Sequence, residues 1–475
     1  MYKLFLCLRY LRKRRIAFFG VTAVALCVGL LIVVTSLFNG FIHTYLFHLE
    51  RLLGQIALQI REPIAEYGEL ADRLEKLDQV ALAKPVVQTG ALLYLKRGDV
   101  RGVEILGIDL ERQVREESFR QGLLRPSAGT AAGFALTAPE KQAARNWLEA
   151  KLQREVRDEE LPLGAIVGIG VLGQPDEITD KYDRESIRQQ IRRRDEGMQI
   201  TLGKPAEDRS GEAANPAQKI QRWFWLVDAV ETGLNDADTR FVYLPFDVVK
   251  DLLGVRGPDG ATRIRAGIQI TATAGARVDE VIEQVKDEWR KFAREKQGWP
   301  ASVADMVGQV LETTQSGDVK LYTDAIHKQL VVMQLILSLI CLVAALLMFV
   351  ILLMIVMQKK KEIGIVRSIG SSQWGVAGIF LAFGAGVGAA GSAVGLGLGW
   401  WATRNISVIE GVLTKLLGFK IWRSGVYMFS EIPNEVAWDS VIWIMAAGVI
   451  SAVLGAVLPA WRAARMQPVD ALRYE

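Results

Sequence analysis

The chain has 475 residues, of which 50% are hydrophobic and 23% are charged, and its mean hydropathy is +0.19. This share of charged residues excludes a protein that lies wholly in lipid, so the apolar residues must be gathered into separate segments. The net charge of +4 is too small to indicate a nucleic-acid partner, and no long basic stretch with interleaved aromatic residues occurs. The length of the chain favours several domains.

Four segments are apolar and long enough to cross a bilayer, which takes about 20 residues. They are predicted at 16–38, 330–357, 376–402 and 441–458. A cleaved signal peptide is the alternative for the first segment. That segment is long, however, and no Ala-x-Ala-like cleavage site follows it, which favours a membrane span.

The positive charges predict one orientation for these spans. Basic residues precede the first span, Lys359-Lys360-Lys361 follows the second, and Arg462 and Arg465 follow the fourth. Because Lys and Arg concentrate on the cytoplasmic side, both termini are expected there. The cytoplasmic parts are then 1–15, 358–375 and 459–475, and the external parts are 39–329 and 403–440. No span carries an ionisable residue near its middle, which argues against an ion-coupled carrier.

The polar region between the first two spans is predicted to form a large α+β domain. Short β-rich runs indicate strands at 91–95, 103–108, 165–169, 223–227, 240–244 and 267–271. Helical periodicity indicates helices at 139–156, 246–253 and 278–296. The polar, Gly- and Pro-containing stretch 197–219 is interpreted as a surface loop or a flexible insertion.

Glycines recur every four residues along the third predicted span. They are Gly384, Gly388, Gly391, Gly395 and Gly399, with one step of three between the second and the third. Small residues at this spacing share a helix face and allow another helix to approach closely. Tight helix packing is the favoured interpretation, and a substrate path along this face is the alternative.

No catalytic, cofactor-binding or metal site is predicted. The three histidines, His43, His48 and His327, lack the spacing of metal ligands. Gly168-x-Gly170-x-x-Gly173 matches a dinucleotide fingerprint only by pattern, because the required context is weak. The sequence contains no Gly-x-x-x-x-Gly-Lys-Ser/Thr loop for ATP phosphates. The chain is therefore not expected to be an enzyme.

The segment 358–375 between the second and third spans is predicted to be a short amphipathic helix, and we call it the coupling segment. Ile363, Val366 and Ile369 have helical spacing, and Gly370 suits a helix C-terminus. A charged helix that lies on lipid is one interpretation. The other is a coupling helix that docks into a groove of a cytoplasmic ATPase.

Both ends of the chain and the coupling segment resemble a known family. The C-terminal Leu-Pro-Ala-Trp-Arg-Ala-Ala-Arg-Met-Gln-Pro-Val-Asp-Ala-Leu-Arg-Tyr-Glu and the central Glu-Ile-Gly-Ile-x-Arg-x-Ile-Gly-x-Ser resemble FtsX/MacB-type transporter permeases. The N-terminal Arg-Tyr-Leu-Arg, at 9–12, and Thr-Ser-Leu-Phe-Asn-Gly-Phe, at 35–41, are most similar to the lipoprotein-releasing LolC/LolE family.

This resemblance implies an α-helical membrane protein with four transmembrane helices. It also implies a MacB-type periplasmic α+β domain between the first two helices and a place in the bacterial inner membrane. The implied function is that of a permease subunit in an ABC complex that extracts lipoproteins and releases them to a periplasmic carrier. The alternatives are a MacB-like exporter and an FtsX-like transducer that activates a cell-wall hydrolase.

The implied partners are a cytoplasmic ATPase dimer, which would hold ATP and Mg, and a second permease subunit, either a copy of this chain or a paralogue. No nucleic acid is implied. Contact with the ATPase is expected from the following residues of the coupling segment: Lys361, Glu362, Ile363, Gly364, Ile365, Arg367 and Gly370.

Overall fold

The computed structural model describes residues 15–96, 99–125, 133–176, 179–204, 218–257, 259–315, 317–358, 363, 365, 368–417, 436 and 438–465. The chain divides into two compact units. The membrane unit comprises 1–44, 323–416 and 431–475, and the sheet unit comprises 45–322 and 417–430.

The regular elements are numbered in chain order. The helices are α1 Arg15–Leu53, α2 Tyr67–Leu74, α3 Leu110–Gln113, α4 Glu117–Gly122, α5 Ala138–Leu152, α6 Ile169–Leu172, α7 Arg184–Arg192, α8 Asn235–Arg240, α9 Phe246–Leu253, α10 Val278–Gln297, α11 Ala301–Val307, α12 Gly317–Gln358, α13 Gln373–Arg404, α14 Ile406–Leu417 and α15 Trp438–Ala464. The strands are β1 Ile56–Ile60, β2 Val80–Lys96, β3 Asp99–Ile108, β4 Leu163–Gly168, β5 Met198–Lys204, β6 Gln218–Val230, β7 Phe241–Pro245, β8 Val255–Arg256, β9 Thr262–Arg263, β10 Gly267–Ala272 and β11 Gly308–Glu312.

Among the described residues of the membrane unit, four helices are long and apolar enough to cross a membrane. The candidate spans are Phe18–Glu50, Val331–Gln358, Gln373–Arg404 and Trp438–Ala464. Each helix contributes buried apolar residues to one shared core, among them Val28, Leu352, Val387 and Ala456. The predicted class, four membrane-length helices together with a large α+β domain, is confirmed.

The sheet unit is built on nine strands in the order β11-β1-β10-β2-β3-β7-β4-β6-β5. The far half of the long strand β2 also pairs with β5, from Ala91 opposite Leu202 to Tyr94 opposite Gln199. This additional pairing closes β2, β3, β7, β4, β6 and β5 into a six-stranded ring. The strands β10, β1 and β11 extend the sheet from the near half of β2.

Alternation along the strands separates the inside of the ring from its outside, as expected of a closed sheet. Ile105, Val167 and Val242 belong to the main buried cluster, whereas their neighbours Leu106, Ile166 and Tyr243 belong to a second cluster. The second cluster is completed by side chains of α4 and α5, including Phe119 and Ala144. Helices therefore cover this outer face of the ring.

All six strands and all three helices predicted for this domain are confirmed, with ends that differ by a few residues for the helices and by more for some strands. The loop predicted at 197–219 is wrong in part, because β5 occupies 198–204 and β6 begins at Gln218. Met198, Ile200 and Leu202 are fully buried and alternate with polar residues, which is the pattern of a half-buried strand. Residues 205–217 lie outside the described part of the chain.

Candidate coupling and helix-packing sites

The structure describes only part of the coupling segment. Lys361, Glu362, Gly364 and Arg367 lie outside the described residues, as does Val366. The proposed contacts of those residues with an ATPase stay predictions. Ile363, Ile365 and 368–375 are described.

Ile363 anchors the coupling segment to the membrane unit. Its side chain is buried in a small cluster with Val356 of α12, Val376 of α13 and Ala463 of α15. Ile369, in contrast, is 81% exposed, although the sequence predicted that it shares an apolar stripe with Ile363. The segment therefore packs through one isoleucine and presents the other outward.

Gly370 gives the coupling segment a backbone turn that favours glycine. Its φ is +100°, a left-handed conformation that side chains with a Cβ rarely adopt. The Ser372 hydroxyl then accepts a hydrogen bond from the Gly375 backbone N–H at 3.1 Å, which caps the start of α13. Trp374, beside this cap, is 87% exposed. An exposed apolar surface of Ile369 and Trp374 thus flanks a turn of defined geometry.

The glycines of α13, which we call the glycine face, contact two different helices. A Cβ built on Gly384 or Gly388 would lie 2.7 or 2.9 Å from the Cβ atoms of Ala456 or Ala452 in α15. The other three glycines meet α1. A Cβ on Gly395 would lie 2.7 Å from the backbone oxygen of Ala25.

The remaining two glycines repeat this close approach to α1. A Cβ on Gly391 would lie 2.6 Å from Val24 Cβ, and one on Gly399 would lie 2.9 Å from Ile32 Cβ. Real Cβ atoms essentially never approach a neighbouring atom this closely, so no side chain fits at these positions. The structure therefore places helix packing on this face, where the first two glycines admit α15 and the last three admit α1.

A buried lysine holds the C-terminal end of α1, and no pattern in the sequence indicates it. Lys84 of β2 has a side chain that is 1% exposed. Its Nζ donates to the backbone oxygen of Leu52 at 3.4 Å and to Glu116 Oε2 at 2.5 Å. Burial lowers the pKa of Lys84, and the Glu116 carboxylate opposes that shift. A lysine inside a predicted strand is normally expected to face solvent. The contact of Lys84 with the end of α1 is therefore visible only in the folded structure.

The residues after α1 fix the direction in which the chain enters the sheet. Gly54 has a φ of +78°, and a Cβ there would lie 2.8 Å from the backbone oxygen of Ile270. The next residue, Gln55, donates its backbone N–H to that oxygen and accepts from the backbone N–H of Thr313. The end of α1 and the chain that leads to α12 therefore meet at paired strands, β1 and β11.

Arg112 forms a second buried charged centre beside Lys84. Its guanidinium pairs with Asp72, Glu75 and Asp109 and also donates to the Ala83 backbone oxygen at 3.1 Å. These contacts tie α2 and α3 to β2, the strand that carries Lys84. The arrangement is that of a structural network, since each of these carboxylates pairs with the same guanidinium.

Two glycines of the dinucleotide-like pattern, Gly168 and Gly170, serve close packing. A Cβ on Gly168 would lie 2.2 Å from the Asp238 backbone oxygen, and one on Gly170 would lie 2.8 Å from Tyr182 Oη. The Asp238 carboxylate accepts from the backbone N–H groups of Thr232 and Gly233, and burial raises its pKa to about 7. Among the described residues, no three His, Cys, Asp or Glu side chains could hold a metal ion.

Comparison with known proteins finds similarity to a permease family in the second half of the chain. Residues 335–468 match the family model described as FtsX-like permease C-terminal. A lipoprotein-releasing system transmembrane protein LolC from Neisseria meningitidis serogroup B is 24% identical over 98% of both chains. LolC of Xylella fastidiosa (strain 9a5c) is 30% identical over 30% of this chain, and that match spans 35% of the relative's length.

Solved structures resemble the chain at low identity. The periplasmic region of MacB from Actinobacillus actinomycetemcomitans is 11% identical, with a TM-score of 0.27 over 57% of this chain and 92% of that one. The extracellular domain of the transporter YknZ from Gram-positive bacteria is 10% identical, with a TM-score of 0.26 over 54% and 99%. On the sequence matches, the chain is similar to FtsX-like permeases and to the LolC and LolE proteins.

Proposed function

We propose that this chain is the permease subunit of an ATP-driven complex that extracts lipoproteins from the bacterial inner membrane and releases them to a periplasmic carrier. The observation that carries the proposal is the similarity to a lipoprotein-releasing LolC protein over 98% of both chains. The ATPase, with its ATP and Mg, is a separate cytoplasmic subunit. A second permease subunit, a copy or a paralogue, completes the complex. Both termini are cytoplasmic, and the sheet unit is periplasmic.

The coupling segment supports a mechanical link to the ATPase. Ile363 is buried among residues of α12, α13 and α15, so a displacement of the segment acts on three membrane helices at once. Ile369 and Trp374 are exposed beside it and offer an apolar surface to a partner. A docked ATPase would shift the segment as it closes on ATP, and the membrane helices would follow.

The end of α1 supports transmission to the sheet unit. Lys84 holds the last turn of α1, and Gln55 hydrogen-bonds the strand that leads to α12. A movement of the end of α1 would therefore reach β1 and β11 through hydrogen bonds. Exposing acyl chains to water costs about 0.8 kcal/mol per CH₂, so lipoprotein release requires a motor of this kind.

Affinity purification of the full chain in mild detergent, followed by mass spectrometry, tests the proposed function. We expect an ATPase subunit and triacylated lipoproteins to be retained, and the permease partner would be identified as a copy or a paralogue. Retention of an ATPase with a cell-wall hydrolase would instead establish a transducer. Retention with a periplasmic adaptor and no lipoprotein would establish an exporter.

Substitutions in the coupling segment test the link to the ATPase. Glu362→Lys and Gly364→Trp are expected to abolish the stimulation of ATP hydrolysis by cargo, because they alter charge and shape where the ATPase docks. Gly397→Trp is the matched control, since Gly397 lies far along α13 from the coupling segment and a Cβ there meets nothing within 4 Å. The protein should stay in the membrane in every case. Stimulation that is unchanged in the Glu362 and Gly364 variants would refute this docking site.

A further inference from the structure

The helix α14 is amphipathic, and its apolar side faces away from the protein. None of its twelve residues is buried. Val408, Val412 and Leu416 are each more than half exposed and follow one another at intervals of four, which places them on one side of a helix. Such a continuous apolar strip on a helix needs an apolar neighbour.

Apolar and polar residues of α14 separate completely. At about 100° per residue, Ile406, Val408, Ile409, Val412, Leu413 and Leu416 fall within one half of the helix. The polar half carries Ser407, Glu410, Gly411, Thr414 and Lys415. A short helix with so sharp a division is typical of one that lies in a membrane interface.

The position of α14 in the chain identifies the apolar neighbour. It begins one residue after α13, a candidate span that ends at Arg404. The last turn of α13 carries Trp400 and Trp401, both exposed, and Trp side chains concentrate at the level of the lipid headgroups. Because only Asn405 intervenes, α14 starts at the depth where the bilayer meets water. There its apolar half can reach the acyl chains while its polar half stays hydrated.

We propose that α14 lies flat in the headgroup–acyl boundary of the leaflet at the C-terminal end of α13, with Val408, Val412 and Leu416 in lipid. The lipid of the surrounding bilayer thus covers the apolar side of α14. Its two ionisable residues, Glu410 and Lys415, have opposite charges and lie on the polar half. Binding therefore rests on apolar burial and is independent of the anionic lipid content. The helix, about 18 Å long, would anchor the outer end of α13 at a fixed depth.

Adjacent residues on opposite sides of α14 allow a controlled test. The full chain is made without Cys7, Cys27 and Cys341, and single cysteines are introduced as Val412→Cys or Gly411→Cys. Both positions are exposed, so neither label has to displace a buried side chain. Each variant is spin-labelled and reconstituted in vesicles of phosphatidylcholine, with or without phosphatidylglycerol. Electron paramagnetic resonance then measures collisions with oxygen, which concentrates in lipid, and with a water-soluble nickel chelate.

We expect a severalfold higher ratio of oxygen to nickel collisions at position 412 than at 411, in both kinds of vesicle. Val408→Cys and Ser407→Cys form a second matched pair and should repeat the difference. Equal nickel access at the members of a pair would place the helix in water and overturn the proposal. Low access to both reagents, with restricted label motion at 408 and 412, would show that a second protein surface covers the helix, which also overturns it. Each outcome is independent of cargo and of the ATPase.

Discussion

Replacing Gly395 by leucine is expected to destabilise the membrane unit by about 3 kcal/mol or more, because the new side chain has no space. Its Cβ alone would lie 2.7 Å from the backbone oxygen of Ala25 and 2.8 Å from Val28 Cβ. A backbone oxygen cannot rotate away as a side chain can. The helices α13 and α1 would have to separate, and the contacts that Gly391 and Gly399 make with α1 would loosen as well.

Gly397→Leu provides the matched control for this prediction. Gly397 lies two residues away in the same helix, and a Cβ there meets nothing within 4 Å. Both substitutions replace glycine by the same better helix former, so the propensity gain is equal in the two variants. The difference between their stabilities therefore measures the effect on helix packing. The midpoint of thermal unfolding in detergent should fall by roughly 5–10 °C for Gly395→Leu and should change little for Gly397→Leu. Equal shifts would show that the glycine face does not support the packing of α13.

Regular local patterns allowed much of the fold to be predicted from the sequence. Each membrane helix is a long apolar run, and the strand at 103–108 and the helix at 278–296 have clear periodicity. The strand β5 was missed because Gly197, Gly203 and the polar residues after Lys204 resemble a loop, although Met198, Ile200 and Leu202 alternate correctly. Closure of the ring depends on the pairing of β5 with β2, about a hundred residues away, which no local pattern encodes.

The candidate sites were predictable to different degrees, because local patterns do not encode contacts between distant segments. The glycine face follows from spacing alone, but the spacing does not show that two helices share it. The apolar stripe of the coupling segment was assigned to one side, whereas tertiary packing buries Ile363 and leaves Ile369 exposed. Lys84 was not predicted at all, since its role depends on the distant Leu52 and Glu116.

Lys84→Met is expected to destabilise the sheet unit by about 3–5 kcal/mol, the usual cost of breaking a buried ion pair. Methionine replaces the aliphatic part of the lysine side chain and lacks only its terminal ammonium group, so little packing is lost. The Glu116 carboxylate, 13% exposed, would lose its cation, and the Leu52 carbonyl at the end of α1 would lose a charged donor. Urea unfolding of the full chain in detergent, followed by near-ultraviolet circular dichroism of the tryptophans, measures the change.

Two further variants separate the buried pair from general effects of charge. Lys84→Met combined with Glu116→Gln should recover most of the lost stability, because no unpaired charge then stays buried. Arg277→Met removes one partner of the exposed pair Arg277–Glu280 and should change the free energy of unfolding by less than about 1 kcal/mol. A double variant as unstable as Lys84→Met would contradict the ion-pair explanation.

The double variant also isolates the mechanical role of Lys84. It keeps the sheet unit folded but leaves the last carbonyls of α1 without their cationic donor, where a positive charge is favourable. If Lys84 transmits movement from the first span, cargo-stimulated ATP hydrolysis should continue while the release of cargo falls. Release at the original rate would restrict Lys84 to stability.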